Sequence, residues 1–396
     1  MGTVVLGEKL TIEKFIEIAV FHSEVGFSQE YRERVEKSRG IIEACVEKEK
    51  AVYGTTTGFG ALVSQFITKD EAELLQKNII LTHSVSVGEP LAEEEVRAVM
   101  LMVLQSLGRG VSGVRMEVLE RYRDFLNKNL IPHVPGEGSV GYLCVEAHIA
   151  AVLIGEGKAW YQGELLSAEE ALKKAGMEPL TLSYKEGLAL INGTTSPTAL
   201  AALAVYRLTQ AAETADVVAA MSLEGLKGQL RAFDSHVTAC RPQTELEETA
   251  EKLKSYLMDS EVVKKWEGSH LQDPLSLRCI PQLHGAAKRI LKDAWEVVSC
   301  EINSCGDNPV VYGSEDEPDI YSNGNPDASY VGMEMDAACI AAANLAKMSE
   351  RRNARFLDEN LSGLPSFLVK NPGLNSGLMI PQYAQAGLLN TKSGTR

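Results

Sequence analysis

Apolar positions along this chain recur mostly at helical spacing. Val96, Val99, Met100, Val103, Leu104 and Leu107 fall on one helix face, and Gly108 and Gly110 follow as a stop signal. Leu200, Leu203, Ala204, Leu208, Ala211, Ala215 and Val218 repeat the pattern over about five turns. Small Ala residues on that face let neighbouring helices approach closely. Asp336 to Arg352 is a further Ala-rich helical segment. Period-two alternation is scarce; Glu164 to Leu166 and Leu180 to Ser183 read as short strands. The pattern predicts a mainly α protein with long central helices in a bundle. Gly-, Asn- and Pro-rich stretches interrupt it near residues 53–60, 135–141, 192–197, 304–328 and 362–377. Chemistry usually sits on such loops, held by a rigid scaffold. The expected division is a loop-rich N-terminal domain over residues 1–190 and a central helical bundle over 191–396.

Composition narrows the partners. The chain has 396 residues, 45% hydrophobic and 23% charged, which suits a globular protein with a sizeable core. Its net charge of −15 argues against nucleic acid or an anionic membrane surface, both polyanions. No uninterrupted apolar run reaches the ~20 residues that span a bilayer. Met1 to Lys14 lacks a basic region followed by an apolar core, so no secretory signal is expected. The seven cysteines (45, 144, 240, 279, 300, 305 and 339) are scattered and fit reduced thiols in the cytoplasm better than a disulfide framework. The seven histidines and the cysteines show no ligand spacing, so no metal is expected.

The chemistry-bearing residues stand on the irregular stretches. Tyr53-Gly54-Thr55-Thr56-Thr57-Gly58-Phe59-Gly60 makes neither a good helix nor a regular strand, because Gly frees the backbone and clustered hydroxyls compete for it. A phenol there can reach into a cleft as an acid or base, although such a segment alone is more often an ordinary turn. Asn192 precedes Gly193, and alone reads as a turn residue. Arg278 has a planar fork suited to a carboxylate, and alone reads as a structural ion-pair partner.

The Tyr53 segment resembles the Tyr-Gly-x-x-Thr-Gly-Phe-Gly loop of the histidine/phenylalanine/tyrosine ammonia-lyase family. The resemblance continues, in order, through His83 to Pro90, Pro135 to Gly141, Gly187 to Thr194, Gln272 to Cys279, Asp307-Asn308-Pro309, Ser349 to Arg352, Ser362 to Pro365 and Asn375 to Gln382. It implies an ammonia-lyase-like fold and elimination of ammonia from an aromatic α-amino acid to give an arylacrylate. It also implies an electrophile, methylidene-imidazolone (MIO), cyclised from an Ala-Ser-Gly tripeptide. By the same resemblance Tyr53 takes the β-proton, Asn192 lies beside electrophile and substrate, and Arg278 clamps the carboxylate. Gln272 contacts substrate or the tyrosine loop. An unperturbed phenol titrates near ~10, so the base must be tuned downward. Thr82-His83 matches the pair that lines the ring pocket: histidine-type members have Ser-His, tyrosine-type His-Leu and phenylalanine-type Phe-Leu. An imidazole there can exchange a hydrogen bond with a ring nitrogen, so a histidine-like substrate is implied. Asn325 falls in a further substrate-facing segment. The resemblance also implies a homotetramer whose sites combine loops from three subunits.

Four departures leave alternatives open. The family reads Gly-Ser-Val-Gly, then Ala-Ser-Gly-Asp-Leu, then a downstream His; here Gly138-Ser139-Val140-Gly141 runs directly into Tyr142-Leu143. Either a cyclised tripeptide stands between Gly141 and Tyr142 as one modified group, or the loop is three residues shorter and carries no MIO. Leu275 replaces a second tyrosine, and Pro326-Asp327 follows Asn325 where histidine-type members have Phe-His. The family also continues through an Asn-Gln-Glu-Asp segment beyond the match, which stops near Asn390. The expectations are therefore an MIO-dependent lyase acting on histidine or a close analogue, with an aminomutase as its variant; an MIO-less relative releasing trimethylamine from an imidazole betaine such as ergothioneine or hercynine; and an inactive family member with a structural role.

Overall fold

The computed structural model describes residues 2–50, 52–54, 57 and 69–394. Thr55, Thr56 and Gly58 to Gly60 of the tyrosine loop lie outside the described residues. Helices dominate, as the periodicity predicts. The chain forms two compact units. The first comprises Met1–Ala204 with Glu296–Gly332, and the second Val205–Trp295 with Met333–Arg396.

The first unit is organised around the helix Glu93–Leu107. Its twelve residues from Val96 to Leu107 are all buried, so it is an interior helix rather than a surface one. Three glutamates complement the positive end of its dipole, and Glu95 accepts the Ala92 backbone N–H at 2.7 Å. A cation at position 97 lies inside this core. Arg97 donates to the carbonyls of Ile18, Ala19 and Leu126 and to Asn129 Oδ1, tying two helix ends to the central helix. Burial pulls its guanidinium down to about 10.

Four small sheets brace this unit. Thr3–Leu6 pairs in parallel with Glu24–Phe27. Ile131–Pro132, Lys158–Tyr161 and Glu164–Ser167 form a three-stranded antiparallel sheet, which includes the strand expected near Glu164. Val87–Pro90 pairs antiparallel with Pro135–Glu137. Val310–Gly313 and Pro318–Tyr321 make a hairpin inside a stretch that reads as irregular. Its buried Val311 packs on Ile41, Ile42 and Cys45 of the helix Gln29–Glu47. Leu180–Ser183 is not a strand. Its backbone groups are taken singly by other partners: Leu180 N–H by Leu153 O, Thr181 O by Arg115, and Ser183 N–H by Glu186.

The second unit has the expected bundle character. Ala212, Ala287, Leu291, Ala338, Ala341 and Leu345 pack together, from the helices Thr195–Gly225, Ile280–Glu301 and Ser329–Leu357. Four of those six are alanine or shorter than leucine, which permits close helix approach. A neighbouring cluster joins Leu223, Phe233, Leu253, Leu277, Ile280 and Met348. Buried Asp216 accepts from His284 Nδ1 at 2.8 Å and from Lys288. A window within Glu186–Gly225 is apolar enough to cross a membrane, but 83% of it is buried, so it serves as core. Several large apolar side chains remain uncovered on the second unit, including Met221, Met333, Ile380, Tyr383 and Leu388.

Candidate active site

Three of the predicted segments meet in the first unit, and a glutamine joins them. Gln76 is fully buried on the helix Lys69–His83. Its Oε1 accepts the Gly187 N–H at 2.8 Å, and its Nε2 lies 3.5 Å from Gly54 O. It therefore links the Tyr53 turn, the helix ending in Thr82-His83 and the helix Glu186–Ile191 that leads to Asn192. Gly54 adopts φ 63°, and a Cβ there would lie 2.3 Å from Leu188, so only glycine fits the turn. Tyr53 is half-buried on that turn, which closes where Thr57 N–H bonds Val52 O. Nothing in a mid-helix Gln marks it in sequence except its neighbours Ile79 and Ile80, both buried one turn on.

His83 ends its helix with Nδ1 2.7 Å from Ile79 O. A carbonyl can only accept, so Nδ1 carries the proton, and Nε2 of the neutral ring is the acceptor nitrogen. Thr82 bonds Asn78 O at 2.7 Å and is exposed. The ladder between Val87–Pro90 and Pro135–Glu137 then carries the chain from His83 alongside the segment entering the Gly138–Leu143 loop. Ser86 N–H donates to His148 Nε2 at 3.2 Å, and burial pulls that imidazole below its ordinary range.

The Gly138–Leu143 loop is tightly folded on itself. Ser139 Oγ donates to Tyr142 O at 2.9 Å and accepts from Gly141 N–H. Leu143 sits at φ 79° and ψ −65°, with Cys144 N–H bonded back to Tyr142 O. That is the strained form of γ-turn, rare for a branched residue. Leu143 N–H reaches Ile191 O, and Ser196 Oγ reaches Gly141 O, so the loop is pinned to both sides of Asn192. The loop contains no Ala-Ser-Gly, and the only Ser in it is followed by Val140 rather than Gly. The loop's own sequence therefore cannot cyclise to MIO.

Glu146 lies beneath this loop, fully buried in the first turn of the helix Cys144–Leu153. Its Oε1 accepts from Thr195 Oγ1 at 2.7 Å and from Ser196 N–H at 2.9 Å, at the start of the next long helix. Its Oε2 is buried with no partner among the described residues. Burial pushes the carboxyl above its ordinary range, opposed by the Thr195 and Ser196 bonds.

Asn192 is 8% exposed. Its Nδ2 donates to Asp307 Oδ1 at 3.2 Å and to Asn308 O at 2.8 Å. Gly193 at φ 111° faces Gly306, and a Cβ on either would crowd the other strand, so two glycines let these segments approach. Asp307 is paired with Lys185 at 2.5 Å, both fully buried. Asn308 Oδ1 in turn accepts the Asn323 N–H, and Asn325 N–H donates to Asn323 Oδ1, so Asn325 belongs to the same linked set and is exposed. Gln272 and Arg278 belong to the second unit. Arg278 Nη1 donates to Gln272 Oε1 at 3.0 Å, and Asp273 fixes the segment between them by accepting from Gln229 N–H and His270 Nε2. Among the described residues no cluster of three or more His, Cys, Asp or Glu is placed to hold a metal.

The profile of the aromatic amino acid lyases matches residues 10–393. A histidine ammonia-lyase from Caldanaerobacter subterraneus subsp. tengcongensis is 42% identical over 390 residues, covering 98% of this chain and 76% of that one. The phenylalanine aminomutase of Pantoea agglomerans superposes with a TM-score of 0.93 at 33% identity, covering 99% of this chain and 80% of that one. The ergothioneine-degrading ergothionase of Treponema denticola superposes with a TM-score of 0.89 at 26% identity, covering 99% and 79%.

The buried Glu146 carboxyl yields a pH prediction. Its folded-state pKa lies above the ordinary 4.5, so its stabilising contribution is full below that value and is lost as pH rises towards the folded value. Glu146→Gln removes this titration and keeps an oxygen for Thr195 and Ser196. Thermal melts from pH 4 upward should show the variant gaining on the parent as pH rises; parallel melting curves would refute a buried ionisable carboxyl.

Proposed function

Because this chain belongs to the aromatic amino acid lyase family, we propose that it is a histidine ammonia-lyase-like C–N lyase, eliminating ammonia from histidine or a close imidazole amino acid to give an arylacrylate. The observation that carries this reading is the 42% identity to a histidine ammonia-lyase across 98% of the chain. The His83 ring, oriented by Ile79 O, adds an acceptor for a substrate ring N–H. In this reading Tyr53 takes the β-proton, Arg278 steadied by Gln272 binds the carboxylate, and Asn192 lies at the amine. Thr82 and Asn325 border the pocket. A cytoplasmic location is proposed with it, which the scattered spacing of the seven cysteines suits.

The family typically uses MIO, which supplies an electrophile that improves departure of a poor amine leaving group. This chain's own amino acids do not form it, so we propose it only as a cyclised tripeptide standing between Gly141 and Tyr142 as one modified group. Elimination of a primary amine calls for it; elimination of a quaternary amine does not. One experiment joins the two questions. Turnover of histidine, hercynine, ergothioneine, tyrosine and phenylalanine is followed by absorbance of the conjugated product, and the peptide spanning Gly141 and Tyr142 is weighed by mass spectrometry. Ammonia from histidine, with the mass of a doubly dehydrated Ala-Ser-Gly at that junction, is expected. Trimethylamine from a betaine across a bare Gly141–Tyr142 bond would move the reaction to the MIO-less alternative. An intact fold with no turnover of any of the five would favour the structural role.

Tyr53→Phe tests the base. It should retain the fold and lose roughly 10²–10⁴-fold in kcat/KM on histidine, the usual contribution of a general base. Turnover near the parent rate would remove Tyr53 from that role.

A homotetramer is proposed as well. The exposed large apolar side chains Met221, Met333, Tyr383 and Leu388 are the support, since a partner chain could cover them. Light scattering should return the mass of four 43.0 kDa chains. A monomer retaining full activity would overturn it.

A further inference from the structure

The orientation of one amide follows from its surroundings. Asn192 Nδ2 faces Asp307 Oδ1 and Asn308 O, and both are acceptors with no proton to give. The nitrogen must therefore point at them, whichever way the amide is first drawn. Both of its protons are used there. No donor from the described residues reaches Oδ1, so what Asn192 offers to a ligand is an acceptor oxygen.

Asp307 can hold this arrangement because it is doubly fixed. Oδ2 receives Lys185 Nζ at 2.5 Å, and Oδ1 receives Asn308 N–H at 2.7 Å as well as Asn192. Lys185 and Asp307 are 122 residues apart and both fully buried. Lys185 occupies the left-handed region at φ 71°, at the N-terminal cap of the helix that ends at Asn192. The pair thus sets both the start of that helix and the group that meets its end.

We propose that the buried Lys185–Asp307 pair is a positioning device that presents Asn192 Oδ1 to the amine of the substrate, and that this oxygen selects a primary ammonium over a trimethylammonium. A primary ammonium has N–H bonds to donate; a quaternary one has none and brings three methyl groups to the same oxygen. The inference rests on the proposed placement of Asn192 at the amine and deepens it, since it assigns the chain to free amino acids rather than to betaines.

Asp307→Asn is the informative change. The new side chain has one oxygen where two were used. If that oxygen stays with Lys185, its NH2 faces Asn192 Nδ2, and the Asn192 amide turns over. Lys185→Met/Asp307→Asn removes the competing ammonium, and the oxygen can return to Asn192. Affinities for histidine, hercynine and the desamino analogue 3-(imidazol-4-yl)propanoate are measured by calorimetry in a Tyr53→Phe background, which slows turnover. Histidine should bind about tenfold or more tighter than either comparison ligand, as for a hydrogen bond to a charged donor. Asp307→Asn should bring that preference close to unity by weakening histidine alone, and the double variant should recover most of it. A histidine preference unchanged in folded Asp307→Asn, or a parent preferring hercynine, overturns the inference while leaving imidazole recognition standing. Failure of all three ligands to bind the parent background overturns the imidazole reading, and this inference with it. Circular dichroism on each variant separates these outcomes from unfolding, and the double variant, without an unpaired buried charge, keeps the test available if the single one does not fold.

Discussion

A carboxylate with no access to water must be neutralised where it stands, and much of the first unit's irregular backbone is arranged around that requirement at Asp307. Lys185 supplies the counter-charge, and the next residue along, Glu186, is buried too. Glu186 is held by Arg115 through Nε at 2.8 Å and Nη2 at 2.7 Å, and by the N–H groups of Arg115 and Ser183. Two consecutive buried charges of opposite sign, each with its own partner, fix the rotation and start of the helix Glu186–Ile191. Once that helix is fixed, Leu188 has to meet Gly54, Gly187 has to meet Gln76, and Ile191 O has to meet Leu143 N–H. The loops around Asn192 are ordered from this helix outward.

Removing either member of the Lys185–Asp307 pair would leave a bare charge in the interior, a change that typically destabilises by ~3–5 kcal/mol. The pair's net contribution to stability is far smaller than that, because both ions lost their hydration on folding. Its role is therefore better sought in geometry than in stability. The Asp216–His284 contact in the second unit is built on similar terms: burial lowers the imidazole while the neighbouring carboxylate raises it.

The helices were legible because apolar periodicity is a local property: Val96 to Leu107 announces its own length, and Gly108 its end. The hairpin Val310–Gly313 to Pro318–Tyr321 was not, because its buried Val311 is answered by Ile41 and Ile42, far away in sequence. Leu180–Ser183 has the composition of a strand and lacks only a neighbour strand to pair with. Tyr53, His83, Asn192, Asn325, Gln272 and Arg278 are proposed for the site from their motifs alone. The residues that orient them were not legible in that way. Gln76, Glu146, Lys185 and Glu186 are polar residues in helical or loop context, which ordinarily means solvent. Their burial depends on partners as distant as 122 residues, and no pattern along one chain reveals that. Gln272 and Arg278 share a motif and a hydrogen bond, but they fold with the other unit, so contiguity in sequence carried them only as a pair.

The γ-turn at Leu143 reverses the chain within three residues, and its flanks are anchored by Ile191 O on one side and Ser196 Oγ on the other. The junction between Gly141 and Tyr142 lies between these two anchors. The helix beginning at Cys144 takes its register from Leu143 onward, and the segment before Gly141 takes its own from the short ladder with Val87–Pro90. The contacts that cross the junction are the Ser139 Oγ bond to Tyr142 O and a long Cys144 Sγ contact to Gly138 O. Gly141 is exposed, and a Cβ on it would meet nothing within 4 Å, so there is room for the chain to bulge outward there. A change of chain length at this junction would therefore be felt by one short hydrogen bond rather than by the helix Cys144–Leu153, whose own anchors lie at Leu143 and beyond.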